Sequence, residues 1–146
     1  MNLSIDLSTL SSSTRRISLI GWALADLAKE GVSRGEFEDF EVVVGLDFMG
    51  ATLALVVADE LGKTFSALRI IKEKEVSPVE GFSTIERKNI LIVVDIVDHS
   101  KSHFMEEIDS LKKMNTHIAG LVCIIEKGKR REEKVKIKSL IRLYTN

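Results

Sequence analysis

The chain has 146 residues, a length that suits one domain with its own hydrophobic core. Apolar residues make up 45% of the sequence and charged residues 29%, which excludes a disordered or fibrous protein. The 21 basic side chains nearly balance the 22 acidic ones, so no strong overall field attracts nucleic acid or an anionic membrane. We therefore predict a single domain over residues 1–146.

The cysteine content and the apolar runs bear on the compartment. Cys123 is the only cysteine and lies in an apolar run, which fits a reducing environment. Arg15 and Arg16 precede an apolar segment like that of a twin-arginine export signal, but Gly21 and Asp26 keep this segment short. No apolar run approaches the roughly 18 residues of a membrane span. We expect a cytoplasmic protein without a membrane partner.

The first half of the chain predicts a helix followed by a strand, helix and strand. Ser12 or Ser13 should cap the first helix, which leads to a polar link over 31–38. The next three elements are a strand over 40–46, a helix over 51–61 that ends at Gly62, and a strand over 64–71.

The second half begins with residues 72–88, which show no clear period and predict a loop that could act as a lid. The following elements are a strand over 89–95, a turn over 96–102, a helix over 103–114, a strand over 116–125, a charged turn over 126–134 and an edge strand over 135–143. This alternation predicts an α/β fold, with a doubly wound, mostly parallel sheet of about five strands. Such sheets bind ligands beyond the carboxyl ends of their strands, where the strand order reverses.

Two turns follow predicted strands and form the candidate site. The first, residues 47–50, lies in a segment that nearly matches the P-loop pattern, but Ala51 replaces the phosphate-binding lysine. Its backbone N–H groups could still hold an anion, or Gly45 and Gly50 could serve only to relieve crowding. In the second turn, Asp95 ends an apolar strand and a hydroxyl-rich segment over 96–102 precedes a helix.

This second pattern resembles the phosphoribosyl pyrophosphate (PRPP) motif of the type I phosphoribosyltransferases. The chain is most similar to orotate phosphoribosyltransferases and to archaeal orotate phosphoribosyltransferase-like proteins, some of which regulate transcription. The resemblance covers about residues 5–143. It implies that Asp95 and Asp98 are the candidate catalytic acids, and that Asp95 would also bind the Mg²⁺ that accompanies PRPP.

The resemblance implies three further groups of site residues. The ligand phosphate would contact four consecutive residues, namely His99, Ser100, Lys101 and Ser102. The pyrophosphate loop would comprise Asp47, Phe48, Met49 and Gly50. The basic residues at the end of the neighbouring strand and in the loop after it would be Arg69, Lys72 and Lys74.

The chain departs from the family motif, which has two adjacent acids and a later glycine. If Asp95 is the first acid, Ile96 replaces the second and Lys101 replaces the glycine; a shift of one residue makes Val94 the missing acid. Losing one placed charge commonly costs on the order of a hundredfold in rate. We therefore expect binding of a phosphorylated ribose ligand, PRPP or a nucleotide, with weak or no transferase activity and a sensor or regulatory role.

Two other functions stay open. The chain could be an active phosphoribosyltransferase of nucleotide synthesis or salvage, or a nucleic-acid-binding module that uses residues 127–138, where seven basic residues and two acids occur. Because the apolar alternation there favours a solvated edge strand, nucleic acid is not the expected partner. A homodimer is expected from the resemblance and from Trp22 on the first helix.

Overall fold

The computed structural model describes residue 7 and residues 13–71, 75–79, 81–82, 84–101, 103–130 and 135–144. Three predicted site residues, Lys72, Lys74 and Ser102, lie outside the described residues.

The described elements alternate between helices and strands. In chain order they are α1 (Thr14–Ser33), β1 (Val42–Leu46), α2 (Asp47–Leu61), β2 (Thr64–Ile71), β3 (Glu75–Pro78), β4 (Asn89–Asp98), α3 (His103–Lys112), β5 (His117–Lys127) and β6 (Ile137–Leu143). The strands form one sheet in the order β3-β2-β1-β4-β5-β6. β3 pairs antiparallel with β2 and the other neighbouring pairs are parallel. The predicted α/β class and mostly parallel sheet are confirmed, with six described strands rather than about five.

Helices cover both faces of the sheet. Successive strand residues point to opposite faces, so Val43 packs with Leu24 and Leu53 of α1 and α2, whereas Val44 packs with Ile108 of α3. All five residues of β1 are buried. Because helices cover both faces of the sheet, residues that point to either face are apolar, and the central strands are unbroken apolar runs.

The helix ends follow local sequence signals. The Arg16 N–H donates to the Ser13 hydroxyl at 3.3 Å, which confirms Ser13 as a cap of α1. α1 continues to Ser33, so the start of the predicted polar link is helical. α2 ends at Gly62, whose φ of 64° is the left-handed conformation of a helix C-cap. None of the helices in the described ranges has the length and apolarity that a membrane crossing requires.

The segment predicted as an irregular lid contains a strand. β3 pairs with the exposed side of β2 and buries Val76, so the prediction of a loop over the whole of 72–88 was wrong. Arg69 lies within β2 opposite Ser77, in the strand predicted over 64–71. The strand is short and adds only one buried side chain, so its formation depends on the free edge of β2.

Candidate functional site

The candidate site lies where the strand order reverses, between β1 and β4. These strands are parallel neighbours, with Gly45 opposite Val93, so their carboxyl ends meet at one edge of the sheet. The start of α2 and the turn after β4 both leave from this edge. The predicted placement of the two segments at one edge is confirmed, and this is the position at which doubly wound sheets bind ligands.

Residues 47–50 form the first turn of α2, so the prediction of a loop there was wrong. Asp47 has a φ of 63°, which lets the chain pass from strand to helix without a loop. A Cβ on Gly45 would lie 2.3 Å from Ala51 Cα, and one on Gly50 would lie 2.6 Å from the Val93 carbonyl oxygen. The two glycines thus allow α2 to pack directly on the sheet, while Phe48 is 81% exposed at the edge.

β4 is longer than predicted and includes both candidate acids. It extends to Asp98 because Ile96 and Val97 continue the pairing with β5 beyond Asp95. The prediction that the strand ends at Asp95 was therefore wrong, and the described part of the turn is reduced to residues 99–101. Asp95 is half-buried, and its Oδ1 accepts the N–H of Ile96 at 2.8 Å.

Asp98 organises the turn that follows it. Its Oδ1 accepts the Ser100 hydroxyl at 2.6 Å and the Ser100 N–H at 3.0 Å, and its carbonyl oxygen accepts the Lys101 N–H at 3.1 Å. Burial would raise the pKa of Asp98, but these hydrogen bonds and the charges of Lys127 and Lys101 lower it below its ordinary value. An ionised carboxylate therefore lies inside the turn at neutral pH.

Glu126, predicted to lie in a charged turn, is a buried carboxylate that contacts the turn after β4. β5 continues to Lys127, so Glu126 is a strand residue and is fully buried. Its Oε2 lies 2.7 Å from His99 Nε2 and 2.6 Å from Arg130 Nε, and Arg142 Nε lies 3.8 Å from Oε1. The His99 side chain is only 8% exposed, so it faces Glu126 instead of the surface of the turn.

The same cluster connects the turn to the edge of the sheet. Arg142 of β6 donates to the carbonyl oxygens of Glu126 and Gly128, at 3.1 Å for the first of them. Burial raises the pKa of Glu126, but the hydrogen bonds from Arg130 and His99 and the nearby arginine charges outweigh this effect and lower it. An open groove of about 900 Å³, lined partly by Arg130 and Arg142, adjoins the cluster between α1 and β6. The carboxylate thus joins three segments: the turn after β4, the end of β5, and β6.

A second acidic group faces the start of α2. Burial and the charges of Asp47 and Glu106 raise the pKa of Glu107, in the second turn of α3, to about 7. Glu107 is half-buried and Asp47 is exposed. Repulsion between these carboxylates makes this part of the edge unfavourable for a free anion and more favourable for one that brings a cation.

The raised pKa predicts a pH-dependent contribution to stability. The native state favours protonated Glu107, so its contribution is complete below pH 4.5 and is lost as the pH rises through about 7. Glu107→Gln should raise the free energy of unfolding at pH 8 by about 1–2 kcal/mol after allowance for solvent screening, and change it little at pH 4. Urea unfolding at both pH values measures this, with the exposed Glu60→Gln as the control. Equal effects of Glu107→Gln at pH 4 and pH 8 would contradict it.

The described residues suit Mg²⁺ only as part of a complex with a ligand. Mg²⁺ bound to a diphosphate takes one or two carboxylates together with phosphate oxygens and water. Asp95 and Asp98, in the last part of β4, are the carboxylates that would contribute. Within the described ranges, no group of three His, Cys, Asp or Glu side chains could hold a metal ion alone.

Comparison with known proteins gives the family. No family model matches the chain. The transcriptional regulator GfcR of Methanosarcina mazei is 30% identical over 150 aligned positions, which cover 97% of this chain and 72% of that protein. The chain belongs to the GfcR family of transcriptional regulators. The GfcR of Haloferax volcanii is also 30% identical, over 96% of this chain and 69% of that protein.

Solved structures give the fold of this GfcR-family chain. Orotate phosphoribosyltransferase from Aeropyrum pernix matches 95% of the chain and 78% of its own length, with a TM-score of 0.71 and 15% identity. The Mycobacterium tuberculosis orotate phosphoribosyltransferase in complex with PRPP matches 95% of the chain and 80% of its own length, with a TM-score of 0.66 and 16% identity. The fold is therefore that of the type I phosphoribosyltransferases, as the resemblance implied.

The structure brings some of the predicted site residues together. Residues 47–50, predicted as the pyrophosphate loop, and residues 99–101, predicted to contact the ligand phosphate, lie at the same sheet edge, with Asp95 and Asp98 in the last part of β4. Glu126, Arg130 and Arg142 are not among the predicted site residues. A glutamate directly after an apolar run, followed by Gly128, was the one local signal of a buried acid at a strand end.

Proposed function

We propose that this GfcR-family chain binds a phosphorylated ribose ligand, PRPP or a nucleotide, and serves as the ligand-sensing part of a transcriptional regulator with weak or no transferase activity. The observation that carries the proposal is that a chain with a phosphoribosyltransferase fold belongs to a family of transcriptional regulators. A fold that binds PRPP in enzymes can keep the binding step after the chemical step is lost, because the two depend on different residues.

Several features support ligand binding at the β1 and β4 edge. The first turn of a helix has backbone N–H groups without intrahelical partners, and α2 presents such a turn there. Lys101 is exposed, and Lys127 is the β5 partner of Asp98. The carboxylates of Asp47 and Glu107 oppose a bare phosphate, so a ligand that arrives with Mg²⁺ suits the edge better.

The weak turnover follows from one position in β4. The transition state of phosphoribosyl transfer carries positive charge on the sugar, which an acid pair stabilises. Ile96, in the place of the second acid, packs partly buried against the core and offers no polar atom. The loss of the second acid should lower the rate of transfer more than the affinity for the ligand, because its interaction with the sugar strengthens as positive charge develops.

We also propose that the chain forms a homodimer through the outer face of its first two helices. Leu19 and Trp22 of α1 are 53% and 49% exposed, and Leu55 of α2 is 54% exposed. Large apolar side chains in such a patch are typical of an interface between subunits.

Calorimetric titration with ribose 5-phosphate and with PRPP, each with Mg²⁺, tests the binding step. The unmodified protein should bind measurably, and Lys101→Glu should weaken binding about tenfold because it reverses a charge beside the phosphate. Lys29→Glu, the same reversal on the exposed face of α1, is the control and should bind like the unmodified protein. No binding of either ligand, or equal losses in the two variants, would contradict the proposal.

A transferase assay tests the regulatory assignment. Turnover of PRPP with orotate or a purine base should be near background, and the double variant Ile96→Asp with Lys101→Gly should regain part of it, since it restores the acid and the glycine of the motif. Robust turnover by the unmodified protein would favour the enzyme instead.

A further inference from the structure

The donors of the turn after β4 are already occupied. A phosphate group bound by such a turn accepts hydrogen bonds from backbone N–H groups and hydroxyls. Here the Ser100 N–H and hydroxyl both donate to Asp98 Oδ1, at 3.0 and 2.6 Å, and the Lys101 N–H donates to the Asp98 carbonyl oxygen. The His99 N–H donates to the Lys127 carbonyl oxygen at 2.9 Å. All three described N–H groups of the turn therefore have partners inside the chain.

The positive charges near the turn also act on a carboxylate of the chain itself. Lys101 and Lys127 lie close enough to lower the pKa of Asp98, so both lysines already act on one carboxylate. The 2.6 Å contact with the Ser100 hydroxyl has the length of a charge-assisted hydrogen bond, which is about twice as strong as a neutral one. A carboxylate thus receives the donors and the positive potential that a ligand phosphate would need.

The backbone around the turn leaves the Asp98 side chain as the part that can move. The His99 imidazole is fixed against Glu126, and the His99 backbone N–H donates to the Lys127 carbonyl oxygen. Rotation of the Asp98 side chain away from Ser100 would free one N–H and one hydroxyl without disturbing these anchors.

We propose that the Asp98 carboxylate is an internal competitor that occupies the phosphate position of this turn and must be displaced when the ligand phosphate binds. The inference rests on the proposed ligand-binding function. It makes Asp98 a residue that sets the affinity of the sensor, in place of the catalytic role that the sequence suggested. The affinity for the ligand is then lower than it would be if the N–H and hydroxyl donors of the turn were free.

The test is calorimetric titration of ribose 5-phosphate and of inorganic phosphate, each with Mg²⁺, into the full chain at pH 8.5. Asp98→Asn should bind both about tenfold more tightly than the unmodified protein, because a neutral amide competes less well for the Ser100 donors. Asp98→Ser should also bind more tightly, and it serves if the asparagine variant does not fold. Repeating the titrations in high salt should leave the gain largely in place, since displaced hydrogen bonds are screened less than distant charges.

The control is Glu60→Gln, which removes an exposed carboxylate at the far end of α2 from the site. It should change the affinity less than about threefold, as expected for screened charges. Equal gains in the Asp98 and Glu60 variants would show general electrostatics and overturn the proposal. Binding by the unmodified protein that is unchanged or weaker in both Asp98 variants would overturn it while leaving the proposed function intact. No binding by any of these proteins would overturn both.

Discussion

Glu126→Ala should lower the free energy of unfolding by about 3–5 kcal/mol, the usual cost of removing one partner from a buried charged cluster. The side chain is fully buried, and Arg130, Arg142 and His99 converge on its two oxygens. Its loss would open a cavity beside two arginine side chains and remove the buried carboxylate that they contact. Urea unfolding followed by circular dichroism measures the change.

Glu126→Gln is the matched variant, because it keeps the volume and one acceptor oxygen while removing the charge. It should cost less than the alanine variant, about 1–3 kcal/mol. The pKa of Glu126 is lowered in the folded chain, so the stabilisation is present above the ordinary value of 4.5 and is lost as the pH falls through the folded value. The difference in the free energy of unfolding between the unmodified protein and Glu126→Gln should therefore become smaller at acidic pH. A cost below 1 kcal/mol for Glu126→Ala at pH 7 would show that the cluster is not a structural anchor.

Gly45→Ala should destabilise the chain by about 3 kcal/mol, at the upper end of the range for overpacked cores. The added methyl group would lie within 2.5 Å of three backbone atoms: Ala51 Cα, Ala51 N and the Gly50 carbonyl oxygen. Backbone atoms cannot rotate away, so α2 would have to move off the end of β1. Because this helix start forms one side of the candidate site, ligand affinity should fall along with stability.

Gly62→Ala separates crowding from backbone conformation. Gly62 has a φ of 64° but no atom within 4 Å of a Cβ placed there, so only the cost of the left-handed conformation applies, about 1 kcal/mol. Its distance from the candidate site, at the other end of α2, should leave ligand binding unchanged. Similar losses of stability in the two alanine variants would refute the close approach of α2 to β1.

The elements that depend on local signals could be predicted from the sequence. β2 occupies Thr64–Ile71 as expected, because its apolar run stands between Gly62 and a polar segment. The Ser13 cap and the Gly62 end of α2 depend on a single residue each. β3 could not be predicted, because Val76 is its one buried residue and its partners, β2 and the Ser110 hydroxyl of α3, are not its neighbours in the sequence.

The site itself was harder to predict, because polar residues were taken as the ends of strands. Asp95 interrupts an apolar run, yet β4 continues for three residues since β5 continues beside it. Glu126 is buried only because an arginine four residues later and another in β6 approach it in space. In the same way, the left-handed Asp47 removes the loop that Gly45 and Gly50 suggested. The length of β4 and the contact of Glu126 with Arg142 depend on pairing with neighbouring strands, which the local sequence does not show.

The most direct test of the account is an NMR titration of the ¹⁵N-labelled chain with PRPP and Mg²⁺. Saturable binding should shift the amide signals of the first turn of α2 and of Ser100 and Lys101, because these groups lie at the edge where β1 and β4 end. PRPP should remain intact after orotate is added, as expected of a sensor. Shifts confined to the groove beside β6, no shifts at millimolar ligand, or rapid consumption of PRPP would contradict the claim that this edge binds a phosphorylated ribose without efficient transfer.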